Sequence, residues 1–355
     1  MVNGSVGQGS SPGKAPVGQV FSPDKPMRRV KIAGLATYVP PRVLTNDDLE
    51  KMVDTSNEWI LQRTGIKERH IVDPGVATSD LAKEAAEGAL REAGITAGQL
   101  GFIVVGTTTP DTIFPSTACN LQNKIGAHRA WGFDLGAACS GFTYALTTAM
   151  QMVATGSCDY ALAVGADVMS SIIDYTDRTT CVLFGDGAGA VVVGPAAEGE
   201  PHILGFAHEI DGSGGPALMM PAGGSRMPAS RETVDQRLHY VKQDGQTVFR
   251  FAVRKTEEIA RRVLDECGVQ PSEIDLFVSH QANRRIIQSA AERMGLPPEK
   301  VVINLERYGN TTGATIPLAL ADARREGKLK KGDLVLLASV GAGFTVGAIL
   351  LRWSL

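Results

Sequence analysis

Cysteine is scarce in this 355-residue chain and follows no pattern: the five present, an odd number, form no C-x-x-C pair and no His/Cys spacing suited to zinc. A disulfide framework and a structural metal are therefore not expected, and a reducing cytoplasm is the compartment that fits. There is no surplus of basic charge. With 35 basic and 38 acidic residues the net charge is −3, so nothing points to nucleic acid as a partner. Residues 1–25 hold five glycines, four serines and three prolines, without the basic and apolar blocks of a secretory signal or the arginine-rich pattern of a transit peptide. We read 1–27 as a disordered leader. Leu334–Leu351 runs 18 residues without a charge, long enough to span a membrane, but Gly341, Gly343 and Gly347 break it into two short β-rich segments. Buried strands joined by a turn are expected there, and no membrane association. The phosphate-loop pattern G-x-x-x-x-G-K-[ST] is missing, and the Gly341–Gly347 run leads into β-rich sequence instead of a helix, so no nucleotide cofactor is implied.

What the chain does have is an ordinary globular composition, 43% hydrophobic and 21% charged, and enough length for one large domain or two smaller ones. Its strongest architectural signal is an internal repeat. Glu92-Ala93-Gly94 followed by Leu100–Val104 lies 174 positions before Glu266-Cys267-Gly268 followed by Ile274–Val278. The same 174 positions separate Cys158–Leu162 from Gly332–Leu336, and Ala145-Leu146 from Ala319-Leu320. Each half reads as a helix ending at a glycine cap, an apolar strand, a second helix and another strand, the grammar of parallel sheets covered by helices. We divide the halves at 28–200 and 201–355. The offset sets Cys139 opposite Gly313, so groups near both positions should meet at a pseudo-twofold axis.

Cys139 lies in Asp134-Leu135-Gly136-Ala137-Ala138-Cys139-Ser140-Gly141-Phe142, where a short apolar strand gives way to a helix-forming stretch, Phe142–Ala154. A helix start offers unpaired N–H groups and positive dipole charge, which can draw a thiol from about 8.5 towards roughly 3.5–7.5. Two further polar clusters punctuate apolar strands: Val278-Ser279-His280-Gln281-Ala282-Asn283 and Arg307–Pro317, which contains Asn310. A thiol, an imidazole and a carboxamide then stand in that order. By residue type alone they leave open a Cys-His-Asn hydrolase, an acyl-transferring or condensing enzyme, and a noncatalytic partner subunit.

Together with Asn57–Ile66, Phe184–Ala190 and Asp211–Gly215, these runs resemble the β-ketoacyl-acyl-carrier-protein synthase III family, the priming condensing enzymes of the thiolase superfamily, from about Met27 to Leu355. Their surroundings do not fit a papain-like protease. The resemblance implies an α/β, thiolase-like fold of two pseudo-duplicated halves, with mixed sheets and helices in layers, and a homodimer. It implies acyl transfer from acetyl-CoA or another short acyl-CoA to Cys139, then decarboxylative Claisen condensation with malonyl-acyl-carrier protein. His280 and Asn310 would donate hydrogen bonds to the malonyl thioester oxygen as CO₂ leaves.

The backbone N–H groups of Cys139 and Ala342 would hold the first oxyanion. Trp59 and Arg178 would flank the adenine of CoA, Arg63 would meet its phosphate and Asn283 its pantetheine, consistent with what an indole and a guanidinium fork can do. Phe114 would reach the acyl pocket of a partner subunit and limit it to short primers, and Gln243 stands near the acyl channel where an apolar residue is expected. Arg284 and Arg285 would meet the acidic carrier protein. A sibling enzyme with another acceptor stays open.

Overall fold

The computed structural model describes residues 27–355, so the expected leader lies outside the described residues except for Met27. Nine strands build two sheets. β1 (Val30–Tyr38), β2 (Leu100–Gly106), β3 (Trp131–Leu135), β4 (Tyr160–Asp167) and β5 (Gly187–Pro195) form the first. β6 (Ile203–Ile210), β7 (Leu276–Ser279), β8 (Leu334–Gly341) and β9 (Thr345–Arg352) form the second. The orders are β1-β5-β4-β2-β3 and β6-β9-β8-β7. In both, a parallel pair (β4 with β2, β8 with β7) is extended by two antiparallel strands. Only β3 has no ladder counterpart, and a single parallel bridge from Phe277 to Val301 stands in its place.

Six helices position the site: α1 (Asn57–Thr64), α2 (Thr78–Ala93), α3 (Gly141–Ala154), α4 (Gly245–Cys267), α5 (Arg284–Met294) and α6 (Thr315–Arg325). The 174-residue offset survives in three dimensions: α2 and α4 stop at left-handed Gly94 and Gly268, α3 and α6 start at Gly141 and Thr315, and β4 and β8 coincide end to end. α3 and α6 lie between the sheets, where Phe142, Leu146, Ile316 and Leu320 share one core with Val104 and Val191 of the first sheet and Val335 and Ile349 of the second. Accordingly, Arg324 and Arg325 in the last turn of α6 are the two exposed residues of these helices. α2 covers the outer face of the first sheet, and α4 and α5 cover that of the second. Phe142 is 1% exposed in the first turn of α3, and its truncation to alanine would cost about 3–5 kcal/mol.

Candidate active site

Both central helices start from the same strained turn. Residues Ala138–Ser140 and Thr312–Ala314 form short 3₁₀ turns that run into α3 and α6, and Ala138 and Thr312 have positive φ, 46° and 49°. A non-glycine residue in the left-handed region costs about 1–2 kcal/mol, so packing must hold both turns in place. Asp167 at the end of β4 supplies part of that hold. Fully buried, it accepts hydrogen bonds from Thr107 Oγ1 (3.1 Å), Thr108 N (2.7 Å) and Gly313 N (3.1 Å), and also from the Thr312 hydroxyl. One carboxylate thus joins the loop after β2 to the turn before α6.

Cys139, 7% exposed, faces a cavity of about 290 Å³ that is also lined by His280, Asn310, Gly341 and Phe344. Its turn is tied to the start of β9: the Ser140 hydroxyl donates to Thr345 O (3.0 Å), and the Thr345 hydroxyl donates to Ala137 O (2.8 Å). Gly341 closes over it. A Cβ there would lie 2.7 Å from Ala137 O and 2.8 Å from Cys139 N, so only glycine lets the Gly341–Gly343 loop approach the thiol. Burial, with the Asp167 carboxylate adding to it, pushes the Cys139 thiol up to about 12, against hydrogen bonds from its own backbone and from the Asn310 side chain. Desolvation of the thiolate thus acts in the opposite direction to the lowering that a helix start alone would give.

His280 follows β7, and its N–H donates to Ala338 O (2.8 Å). Its Nδ1 lies 2.7 Å from Thr315 Oγ1, its Nε2 has no partner, and burial lowers it to about 3. Asn310 is pinned to the first half by N–H donation to Leu183 O (2.8 Å) and acceptance from Gly185 N (3.1 Å), which accounts for the Phe184–Ala190 motif. Its Oδ1 accepts from Thr312 N (2.9 Å), leaving the amide NH₂ for the cavity. A neutral thiol, a neutral imidazole and an amide donor line one cavity.

Two family models match the chain: 3-oxoacyl-[acyl-carrier-protein] synthase III over residues 133–212, and its C-terminal counterpart over 264–353. Beta-ketoacyl-[acyl-carrier-protein] synthase III of Koribacter versatilis is 57% identical over 92% of this chain and 99% of its own length. That of Solibacter usitatus is 58% identical over 92% and 100%. The crystal structure of 3-oxoacyl-[acyl-carrier-protein] synthase III from Aquifex aeolicus is 45% identical, covers 91% of this chain and 100% of its own, and superposes with a TM-score of 0.84. The chain belongs to the β-ketoacyl-acyl-carrier-protein synthase III family. Its fold is accordingly thiolase-like, as the repeat and the resemblance led us to expect.

The other residues singled out for a synthase III site fall into place unevenly. Trp59 and Arg63 of α1 line the cavity mouth, but the Arg178 guanidinium carbon is 5.5 Å from the Trp59 ring centre. A base sandwiched between them needs two stacking contacts, about 7–8 Å. The expected adenine slot is closed, with Arg178 Nη1 donating to Asp54 O (2.8 Å). Asn283 also lines the mouth and caps α5, with Oδ1 accepting from Arg285 N (2.9 Å) and Nδ2 donating to Arg63 O (2.9 Å). It spends half of its hydrogen-bonding capacity on structure. Arg284 and Arg285 do not form one patch: consecutive helical residues point about 100° apart. Arg284 pairs with Glu306 (3.2 Å), whereas exposed Arg285 sits 5.4 Å from the ring centre of Phe249 at the mouth.

Ala342 is half-buried beside Gly341, which lines the cavity, while its own atoms do not. Gln243 pairs with Leu218 in a two-residue ladder and does line it. Phe114 is absent from the lining and is 84% exposed beside Ile113, 86% exposed. Sequence reading gave no role to Asp167, Thr315 or the buried hydroxyls of Ser279 and Thr256 on the cavity wall. Thr315 stands inside the Arg307–Pro317 motif, but only the fold shows that its hydroxyl touches the imidazole. Among the described residues no cluster could hold a metal, and no helix is long and apolar enough to cross a membrane.

Proposed function

We propose that this chain primes type II fatty-acid synthesis, using Cys139, His280 and Asn310. The observation that carries the reading is their convergence on one buried cavity whose mouth holds Trp59 and Arg63. Sulfur attacks the carbonyl of acetyl-CoA or another short acyl-CoA, the S–H proton moves to His280, the acyl–sulfur bond to CoA breaks, and a new thioester forms on Cys139. Malonyl-acyl-carrier protein then loses CO₂. The enolate oxygen rests on Asn310 NH₂ and His280, and its carbon attacks the acyl-Cys139 carbonyl, releasing 3-oxoacyl-acyl-carrier protein and restoring the thiol. Since the thiol rests protonated, attack and proton transfer are coupled. The N–H groups of Cys139 and Ala342 receive the first oxyanion, with Gly341 holding that loop against the nucleophile.

Two partners belong to the same reading. Ile113 and Phe114 in the loop after β2, and Trp131, 57% exposed on the edge strand β3, are exposed apolar side chains suited to contact with a second copy, which would also send Phe114 towards a neighbouring acyl pocket. Exposed Arg285 at the mouth suits an acidic carrier protein better than Arg284, whose charge Glu306 already answers. Mass spectrometry after mixing with acetyl-CoA tests the function: we expect one acetyl adduct on Cys139, and 3-oxoacyl product once malonyl-acyl-carrier protein is added. Asn310→Ala should still be acetylated but lose about 10²–10³-fold in malonyl decarboxylation. No adduct on the wild-type protein would refute the proposal.

A further inference from the structure

The Thr315 hydroxyl has two neighbours and one proton. Its oxygen lies 2.7 Å from His280 Nδ1 and 3.0 Å from the carbonyl oxygen of Thr312. A carbonyl can only accept, so the hydroxyl proton serves that contact, the back-bonding that threonine makes in the first turn of a helix. The Thr315 oxygen is then left to accept from the ring. This requires the proton of neutral His280 to be on Nδ1, which makes Nε2 a bare lone pair. Nε2 is the buried ring atom without a partner in a cavity shared with Cys139 and Asn310.

We infer that Thr315 is a positioning residue that holds His280 as its Nδ1–H tautomer, so that Nε2 rests as a proton acceptor and becomes a donor only by taking the proton of Cys139. The inference rests on the proposed condensing function and orders its proton traffic. In the first half-reaction the S–H bond breaks as the C–S bond forms, and the proton goes to Nε2. CoA leaves as a thiolate and is protonated by solvent. His280 carries N–H at both nitrogens only while a partner sits on each, Thr315 on Nδ1 and the malonyl thioester oxygen, with its developing enolate charge, on Nε2; the resting ring stays neutral. When the new C–C bond expels the Cys139 thiolate, that proton returns to sulfur, and the resting hydrogen bonds are restored. The dry side of the cavity suits this, because Thr312 and Thr315 are both nearly fully buried.

Nitrogen-15 NMR of the histidine rings, with Cys139 acylation timed by mass spectrometry, tests the assignment on the full-length protein, its Thr315→Ser variant and its Thr315→Val variant. We expect the wild type and Thr315→Ser to show a pyridine-like, unprotonated Nε2 on His280 and acylation rates within about threefold of each other. Thr315→Val, which keeps the shape but removes the acceptor, should acylate about ten- to a hundredfold more slowly with KM for acyl-CoA unchanged, as expected when a buried N–H loses its partner. A protonated Nε2 in the resting wild type overturns the inference, as does wild-type acylation by Thr315→Val. If Thr315→Val does not fold, the wild-type spectrum alone decides. Failure of the wild type to acylate at all would count against the proposed function instead.

Discussion

Ala138 and Thr312 occupy the same left-handed backbone conformation at equivalent places in the two halves, φ 46° and 49°, one just before Cys139 and the other two residues after Asn310, and each opens a turn that runs into a central helix. Neither is a glycine. Ser140, Thr345 and Asp167 hold the two turns by hydrogen bonds, so the strain is carried by the whole junction between the sheets.

A β-branched side chain at the first of these turns should therefore be costly. We expect Ala138→Val to lower stability by about 1–3 kcal/mol and to slow Cys139 acylation, while Ala138→Gly stays within about 1 kcal/mol of wild type. Urea denaturation and acetyl-adduct mass spectrometry measure both effects. Equal behaviour of the two variants would mean that the turn is not strained in solution.

The contact between Arg178 and Trp59 bears on CoA binding. A base can enter only if Arg178 swings away from Asp54, and its half-exposed side chain is free to do so. Trp59→Ala and Arg178→Ala should each raise KM for acetyl-CoA roughly tenfold, about 1.4 kcal/mol, with kcat changed little, because these contacts are remote from the thioester. Steady-state kinetics that leave KM unchanged in both would remove this pair from the site.

Phe114 should report on assembly and on primer length together. Phe114→Asp places a charge in the apolar surface and should shift the mass seen by light scattering from dimer to monomer. Phe114→Thr should keep the dimer and raise the use of C6–C8 primers about tenfold or more, since overpacking by a ring costs about 1–3 kcal/mol. A monomeric wild type, or unchanged chain-length preference in Phe114→Thr, would break that link.

Acid stability should depend on the buried imidazole of His280. Burial holds folded His280 at about 3, below the ordinary 6.5, and His208 at about 4, so the unfolded chain binds these protons first as pH falls. Their contribution is complete above about pH 6.5 and is withdrawn as pH drops towards the folded values, by roughly 3–5 kcal/mol each at the acid limit. Between pH 7 and 4.5, His280→Gln should lose about 2–3 kcal/mol less than the wild type in urea denaturation. Identical losses would show that His280 is already protonated, or already exposed, in the native protein.

Much of this was legible in the chain itself. The 174-residue offset determined the duplication, since a βαβ unit and its copy need the same apolar spacing and the same glycine caps at Gly94 and Gly268. The order thiol, imidazole, carboxamide and the motifs around it marked Cys139, His280 and Asn310. These are local patterns, written in residue type and spacing. Tertiary structure alone decided what depends on neighbours distant in sequence. Burial between two sheets raises the Cys139 thiol, against the lowering that a helix start alone would give. Asp54, 124 positions from Arg178, keeps the proposed adenine slot shut, and Glu306 takes Arg284 out of the charged surface that Arg285 still offers. Thr315 reads as an ordinary helix-start residue until the fold brings His280, 35 positions away, against its hydroxyl. Protonation and hydrogen-bond direction follow from desolvation and contact geometry, and neither is carried by a residue's identity.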